Sequence, residues 1–88
     1  MNQIGNYNDV GYVEASTYRK KVLTAIEGKP KTPTMIAKKS DIRTNHISNV
    51  LTQLKNHGLV VCLNEEARKG RLYKLTERGD FVLKNLDI

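Results

Sequence analysis

Apolar residues recur at helical spacing in the middle of the chain. Within the stretch Ser40 to Val61 they are Ile47, Val50, Leu51 and Leu54, at separations of three, four and seven residues. Such a stripe predicts one amphipathic helix that buries these four side chains. We expect this helix to begin at a cap on Thr44 and to end at His57-Gly58, with the glycine just beyond the helix.

Two shorter helices are predicted before the central one. Ser16 or Thr17 can cap a helix that continues to about Glu27. The pair Thr32-Pro33 starts the next, because threonine can cap and proline suits the first helical position. Only residues 40–42 then precede the central helix, with Ile42 facing the core. So short a turn between two helices predicts a helix-turn-helix.

Two strands and a last helix are predicted after the central helix. Residues 59–63 are apolar and β-branched, residues 64–70 are polar and end in glycine, and residues 71–76 alternate. These features predict a β-hairpin, after which Thr76 can cap a helix over residues 77–86. The fold class is therefore mainly α with a small β-hairpin, in the winged helix-turn-helix order of helix, helix, turn, helix, strand, wing, strand, helix.

The N-terminal residues do not fit this periodicity. Residues 1–13 are rich in Asn and Gly, so we expect a mostly irregular N-terminal arm, followed by a winged-helix domain over residues 14–88. Apolar side chains of the arm could still pack on the body or on a second subunit.

Composition narrows the class of protein. Eighty-eight residues make one domain, and no apolar run is long enough for a transmembrane helix or a signal peptide. We therefore expect a cytoplasmic protein without membrane contact. The single Cys62 excludes an internal disulfide, and a small buried residue is its simplest interpretation.

Positive charge is concentrated in the body of the chain. The net charge is +6, whereas residues 19–78 hold fourteen basic and five acidic residues, a balance of +9. Residues 1–18 hold no basic residue. This distribution favours a polyanionic partner, although solubility alone would also account for it.

The exposed face of the central helix is polar but almost uncharged. Solvated helix faces are usually rich in Glu and Lys, whereas this one carries residues that both donate and accept hydrogen bonds. Asn and Gln can bind adenine through two hydrogen bonds, and Ser or Thr can donate or accept. We therefore predict a DNA recognition helix rather than an ordinary solvated face. The predicted base contacts are Asn45, His46, Ser48, Asn49 and Gln53, with Thr52 on the same face.

Basic residues beside this face are predicted to contact DNA phosphates, which fix register without reading sequence. Around the central helix the predicted contacts are Arg43, Thr44, Lys38, Lys39 and Lys55, and in the wing Arg68, Lys69 and Arg71. For Lys38 and Lys39 simple solvation is an equal alternative. Glu65 and Glu66 leave open that the wing is only a solubilising edge.

The sequence gives little support for a metal site or an enzyme active site. His46 and His57 have no Cys or carboxylate cluster at ligand spacing, so no metal site is predicted, and His57 is expected to end the helix. No nucleophile–base pair or Gly-rich phosphate loop is present. We predict no enzyme activity, no cofactor and no small-molecule ligand.

A homodimer is predicted from the last helix, whose apolar residues cover too wide an arc for one small core. The predicted dimer interface comprises Tyr18, Phe81, Val82, Leu83 and Leu86.

The sequence also resembles a known family over roughly residues 12–86. It is similar to the small archaeal and bacterial winged-helix transcriptional regulators of the ArsR/MarR-like superfamily. The matching residues are Tyr18-Arg19, Val22-Leu23, Thr32-Pro33, Ile36-Ala37, Ile47-Ser48, Leu51, Leu54, Gly58-Leu59-Val60, Lys69-Gly70-Arg71-Leu72-Tyr73, Leu75-Thr76 and Gly79.

This resemblance implies sequence-specific binding of double-stranded DNA, usually as a homodimer. The third helix would enter the major groove, and the wing would touch phosphate or the minor groove. Metal-sensing members carry a cysteine motif near the recognition helix; this chain has no cysteine there, so metal sensing is not implied. A protein–protein interaction module within a larger assembly is the alternative, because fold alone does not decide function. RNA binding is a third and weaker alternative.

Overall fold

The computed structural model describes residues 7–86. Within them it contains five helices and one antiparallel hairpin. The helices are Tyr7–Glu14 (α1), Thr17–Ile26 (α2), Pro33–Ser40 (α3), Thr44–Asn56 (α4) and Glu77–Lys84 (α5), and the strands are Val60–Cys62 (β1) and Tyr73–Leu75 (β2). From α2 onward this is the predicted winged helix-turn-helix order, so the predicted fold class is confirmed.

Local capping explains where three of the helices begin. The side-chain oxygens of Ser16, Thr32 and Thr76 each accept a hydrogen bond from the backbone N–H three residues on, at 3.2, 3.3 and 3.1 Å. Pro33 occupies the first turn of α3, where a missing N–H is harmless. All three caps were predicted and are confirmed, because capping depends only on neighbours in the sequence.

The predicted cap at Thr44 is wrong. Arg43 holds the N-cap position with an extended backbone and makes no side-chain capping bond, and Thr44 is the first helical residue. The cause lies in the preceding turn, where Asp41 adopts a left-handed conformation (φ 59°) and Ile42 is buried in the core. Burial of Ile42 fixes the direction of the chain, so the carbonyl of Arg43 becomes the first acceptor of the helix, from the N–H of Ile47 at 3.2 Å.

The prediction of a mostly irregular arm is wrong for residues 7–13, which belong to α1; residues 1–6 of the arm lie outside the described residues. Val10 and Val13 are buried, whereas Asn8 and Gly11 face solvent. A helix of eight residues is too short to be stable alone or to show clear periodicity, so packing against the body stabilises it.

The hydrophobic core lies between α2, α3, α4 and the hairpin, with α1 and α5 closing one side. The predicted stripe is confirmed, since Ile47, Val50, Leu51 and Leu54 are all at most 5% exposed. Ile42 also points into the core, as predicted.

The last helix contributes to this same core. Val82 and Leu83 are buried within the single chain because α1 and α2 pack against α5, which leaves little of either side chain for a dimer interface. Phe81 is only half-buried, and its ring meets the edge of Tyr7 at a centroid distance of 5.7 Å.

The hairpin has a partner on each side of β2. Val61 lies opposite Lys74 in the antiparallel pair, and the backbones of Lys31 and Tyr73 exchange two hydrogen bonds of 2.9 Å. The ammonium group of Lys31 donates to the carbonyl of Glu27 at 2.7 Å, at the end of α2. Burial, aided by the nearby charge of Lys39, lowers the pKa of Lys31. The wing is thus joined to the linker between α2 and α3.

No helix of the described residues is long and apolar enough to cross a membrane.

Candidate nucleic-acid interface

The exposed side of α4 is the uncharged polar surface expected from the sequence. We call it the polar face, and all of its members are exposed: Asn45, His46, Ser48, Asn49, Thr52 and Gln53. The hydroxyl of Thr52 donates to the carbonyl of Ser48 at 3.0 Å, so toward a ligand it can only accept. The structure therefore gathers all six predicted residues on one surface, but not with equal hydrogen-bonding freedom.

One edge of the polar face is held by α2. The ring of Tyr18 meets the ring of His46 edge-on, with centroids 5.4 Å apart. Arg19 donates from Nη1 to Oε1 of Gln53 at 3.4 Å. Tyr18, one of the predicted dimer residues, therefore lies beside the polar face.

The other edge of the polar face opens into a groove between α3, α4 and the wing. It encloses about 580 Å³. Thr32, Pro33 and Thr34 contribute the start of α3, Ser48 and Thr52 the polar face, and residues 68–71 the wing. A concave surface with hydroxyl groups on one wall and basic residues on the other suits a phosphate backbone.

The basic residues of the wing have different roles. Arg71 donates to the carbonyls of Ala67 and Glu65 at 2.7 Å, so it braces the wing loop. Arg68 and Lys69 are exposed at its tip and line the groove. Of the three predicted wing contacts, the structure thus gives Arg71 mainly a structural task.

Asn64 closes the same loop from the strand side. Its carboxamide oxygen accepts from the N–H of Leu72 at 2.7 Å, and its nitrogen donates to the carbonyl of Gly70 at 3.2 Å. Gly70 has a positive φ of 68°, which glycine adopts without strain. These contacts give the wing tip a defined shape.

Lys55 forms an ion pair with Glu65 of the wing loop. The hydrogen bond with Glu65 raises the pKa of Lys55, and the same bond lowers the pKa of Glu65. Both side chains are exposed, so the pair contributes little to stability. The structure therefore compensates one of the predicted phosphate-contact charges within the protein.

The remaining predicted phosphate contacts are dispersed. Arg43 and Thr44 are exposed at the start of α4, beside the polar face. Lys38 and Lys39 are exposed at the end of α3, and Lys39 lines a groove of about 370 Å³ with Lys20 and Lys21 of α2. That groove lies between α2 and the end of α3 and is lined by residues of these two helices, so Lys39 is not gathered with the wing.

A cluster at the end of α4 was not predicted from the sequence. Asp9 of α1 is buried and accepts two hydrogen bonds from Arg78 of α5, at 2.9 and 3.1 Å, while Nε2 of His57 lies 3.3 Å away. Hydrogen bonding to Asp9 raises the pKa of Arg78. The expectation that His57 ends the helix is confirmed, since it occupies the C-cap.

Tyr12 extends this cluster by stacking. Its ring lies parallel to that of His57 at a centroid distance of 3.9 Å, and the guanidinium of Arg19 lies 4.0 Å from its centroid. Nothing in the local sequence indicates these contacts, because the partners are distant along the chain.

Two further residues fix the backbone that follows α4. The hydroxyl of Thr76 donates to the carbonyl of Gly58 at 2.7 Å, and its N–H donates to the carbonyl of Leu59 at 3.0 Å. Gly79 is buried against the same segment, where an added Cβ would overlap the carbonyl oxygen of Leu59. Gly58 has a positive φ of 77°, as expected for the residue after a helix end.

In the part of the chain that the structure describes, no three His, Cys, Asp or Glu side chains come together in a way that could hold a metal. Cys62 is buried, as expected, and its Sγ lies 3.7 Å from the carboxamide oxygen of Asn64.

Comparison with known proteins bears on the same residues. A family model described as winged helix-turn-helix matches residues 19–88. No curated protein sequence matches the chain.

Two solved structures have a similar fold. One is a MarR family transcription regulator, with 22% identity, a TM-score of 0.67, and coverage of 89% of this chain and 58% of that one. The other is from Pseudomonas aeruginosa and is assigned provisionally as a transcriptional regulator. It has 23% identity and a TM-score of 0.65, and the match covers 89% of this chain and 57% of that one. The chain thus spans less than two thirds of the length of either protein.

Proposed function

The chain belongs to the winged helix-turn-helix family, and on that premise we propose that it regulates transcription by binding specific double-stranded DNA. The observation that carries the proposal is the exposed, almost uncharged polar face on the second helix of the helix-turn-helix. A face of donors and acceptors suits the edges of base pairs in the major groove. Winged helix-turn-helix domains are not enzymes, and no catalytic role is proposed.

Base readout is assigned to the first turns of α4. Asn45 and Asn49 have exposed carboxamides that can bind an adenine through two hydrogen bonds. His46, Ser48 and Gln53 lie at the edges of the same face and complete the proposed base contacts.

Phosphate contact is assigned to the two sides of the polar face. Arg68 and Lys69 would reach the backbone or the minor groove from the wing, with Arg71 shaping the loop that presents them. Arg43 and Thr44 would contact the backbone at the start of α4. Lys38, Lys39 and Lys55 are proposed only as secondary contacts, since Lys55 must first leave Glu65.

A homodimer is proposed through α1 and α5 rather than through the complete set predicted from the sequence. Tyr7 is 73% exposed and its ring contacts that of half-buried Phe81, while Leu86, which follows α5, is also half-buried. Two copies would place their recognition helices in successive major grooves. A cytoplasmic location is part of the proposal. Sedimentation should show a dimer at micromolar concentration, and a monomer well above that concentration would contradict this assignment.

A gel shift with an enriched duplex and with mixed duplex DNA tests the function. Affinity should fall with salt at a logarithmic slope of about −0.9 per phosphate contact. Asn49→Ala should weaken the enriched site by roughly 1–3 kcal/mol and mixed DNA far less. Asn8→Ala removes an exposed asparagine of α1 and serves as the matched control.

Two results would contradict the proposal. Equal loss on both kinds of DNA would exclude base readout by Asn49. Absence of any salt-sensitive shift at micromolar protein would favour a protein-interaction module instead.

A further inference from the structure

Arg19 is fixed in orientation by α1. Its Nε donates to the carbonyl of Tyr12 at 2.8 Å, and its guanidinium carbon lies 4.0 Å from the centroid of the Tyr12 ring. A planar guanidinium with one hydrogen bond and one stacking contact has little rotational freedom left. Its outer nitrogen, Nη1, then points at Gln53 of α4, 3.4 Å from the carboxamide.

This contact determines which end of the Gln53 carboxamide faces the protein. Every nitrogen of arginine is a donor and none is an acceptor. The carboxamide atom beside Nη1 must therefore be the oxygen, whichever way the amide is drawn. The NH₂ group of Gln53 is turned away from Arg19, on a side chain that is exposed on the polar face.

Asn49, one helical turn before Gln53, provides the contrast. It is exposed on the same face, and among the described residues no arginine is hydrogen-bonded to its carboxamide. Asn49 can turn either way and can offer donor and acceptor together, as recognition of adenine requires.

We propose that Arg19 is a positioning residue that turns the carboxamide oxygen of Gln53 toward the protein, so that Gln53 meets DNA with its NH₂ group. The bases it favours in the major groove then present an acceptor with no donor beside it on the same base: guanine through O6 and N7, or thymine through O4. Adenine can accept one hydrogen bond at N7, but it is disfavoured because its N6 donor then has no carboxamide oxygen of Gln53 facing it. The inference rests on the proposed function, since it takes Gln53 to face bases.

The test is a selection of bound duplexes from a random pool, with the unaltered protein and three variants. Gln53→Ala identifies the position that Gln53 reads, because preference there should be lost. At that position the unaltered protein should select guanine or thymine over adenine about fivefold, as expected for one net hydrogen bond.

Arg19→Met keeps an unbranched side chain that can pack on Tyr12 but removes every donor. It should shift the selected base toward adenine, by about the same factor. Arg19→Lys retains a donor and should retain guanine or thymine. A purely structural role of Arg19 would change affinity for all sequences together and would leave the base preference unaltered. If the methionine variant does not fold by thermal melting, Arg19→Gln serves in its place and should abolish the discrimination against adenine.

Three outcomes would overturn the inference. The first is an unchanged preference at the Gln53-dependent position in Arg19→Met, and the second is adenine at that position with the unaltered protein. The third is an unchanged set of preferences in Gln53→Ala. If the unaltered protein enriches no sequence at all, the proposed function itself is wrong. If it enriches a specific sequence and the Arg19 variant selects the same bases, only the positioning role of Arg19 is refuted.

Discussion

The two ends of α4 are held in opposite ways. At its start Arg43 makes no side-chain capping bond, and Thr44 and Asn45 are exposed. At its end His57 packs between Asp9 and Tyr12, and the carbonyl of Gly58 accepts from Thr76. The helix is therefore fixed from its C-terminal end.

This difference teaches how one helix can be both rigid and accessible. In helix-turn-helix proteins the N-terminal residues of the recognition helix contact base edges. Caps or ion pairs at that end would occupy the groups that must meet DNA. The stabilising contacts are instead gathered at the opposite end, where α1 and α5 supply buried partners.

Substitution of Gly79 should test the anchored end most severely. In Gly79→Ala the added Cβ overlaps the carbonyl oxygen of Leu59, so α5 and the backbone just before β1 must move apart. We expect a loss of about 3 kcal/mol in the free energy of unfolding, measured by denaturant titration. Gly11→Ala is the control, since a Cβ there meets nothing within 4 Å, and it should stabilise α1 by about 0.5–1 kcal/mol. Similar stability of the two variants would show that the approach of α5 to Leu59 is not tight.

Asp9→Asn should have the next largest effect. It leaves the charge of Arg78 without its partner, and breaking a fully buried pair typically costs about 3–5 kcal/mol. Because the side chains of Arg78 and His57 are 41% and 36% exposed, we expect about 2 kcal/mol. Asp80→Asn breaks the exposed pair with Lys84 and should cost less than about 0.5 kcal/mol. Equal losses of stability in Asp9→Asn and Asp80→Asn, measured by thermal melting, would show that the cluster around Asp9 is no stronger than an ordinary surface pair.

The smallest expected effects on stability are those of substitutions at Thr76 and Thr44. Thr76→Val removes the cap of α5 and the bond to Gly58, and should cost about 1–2 kcal/mol. Thr44→Val removes no capping bond and should change the unfolding free energy by less than about 0.5 kcal/mol, measured under the same conditions. A larger loss at Thr44 than at Thr76 would reverse the contrast between the two ends of α4.

Features that depend on near neighbours could be predicted from the sequence. The caps at Ser16, Thr32 and Thr76 and the buried stripe of α4 follow from residue type and spacing. The hairpin follows from two short apolar segments around a polar loop. These local features were enough to predict the fold and to place the polar face.

Features that depend on distant partners could not be predicted. Asp9 and Arg78 are 69 residues apart, and Arg19 and Gln53 are 34 apart, so neither pairing leaves a local pattern. The same reason explains α1, whose stability comes from the surface it covers. Thr44 shows the converse, because a favourable capping residue was displaced by the burial of Ile42.

The backbone bridge between Lys31 and Tyr73 determines where the wing can hinge. With hydrogen bonds on both sides of β2, the amide hydrogens of this bridge exchange with solvent only when the linker between α2 and α3 separates from the hairpin. Amides of the loop beyond Leu72, toward Arg68, should exchange through smaller openings. We therefore expect the base of the wing to move together with the linker between α2 and α3, to which it is hydrogen-bonded.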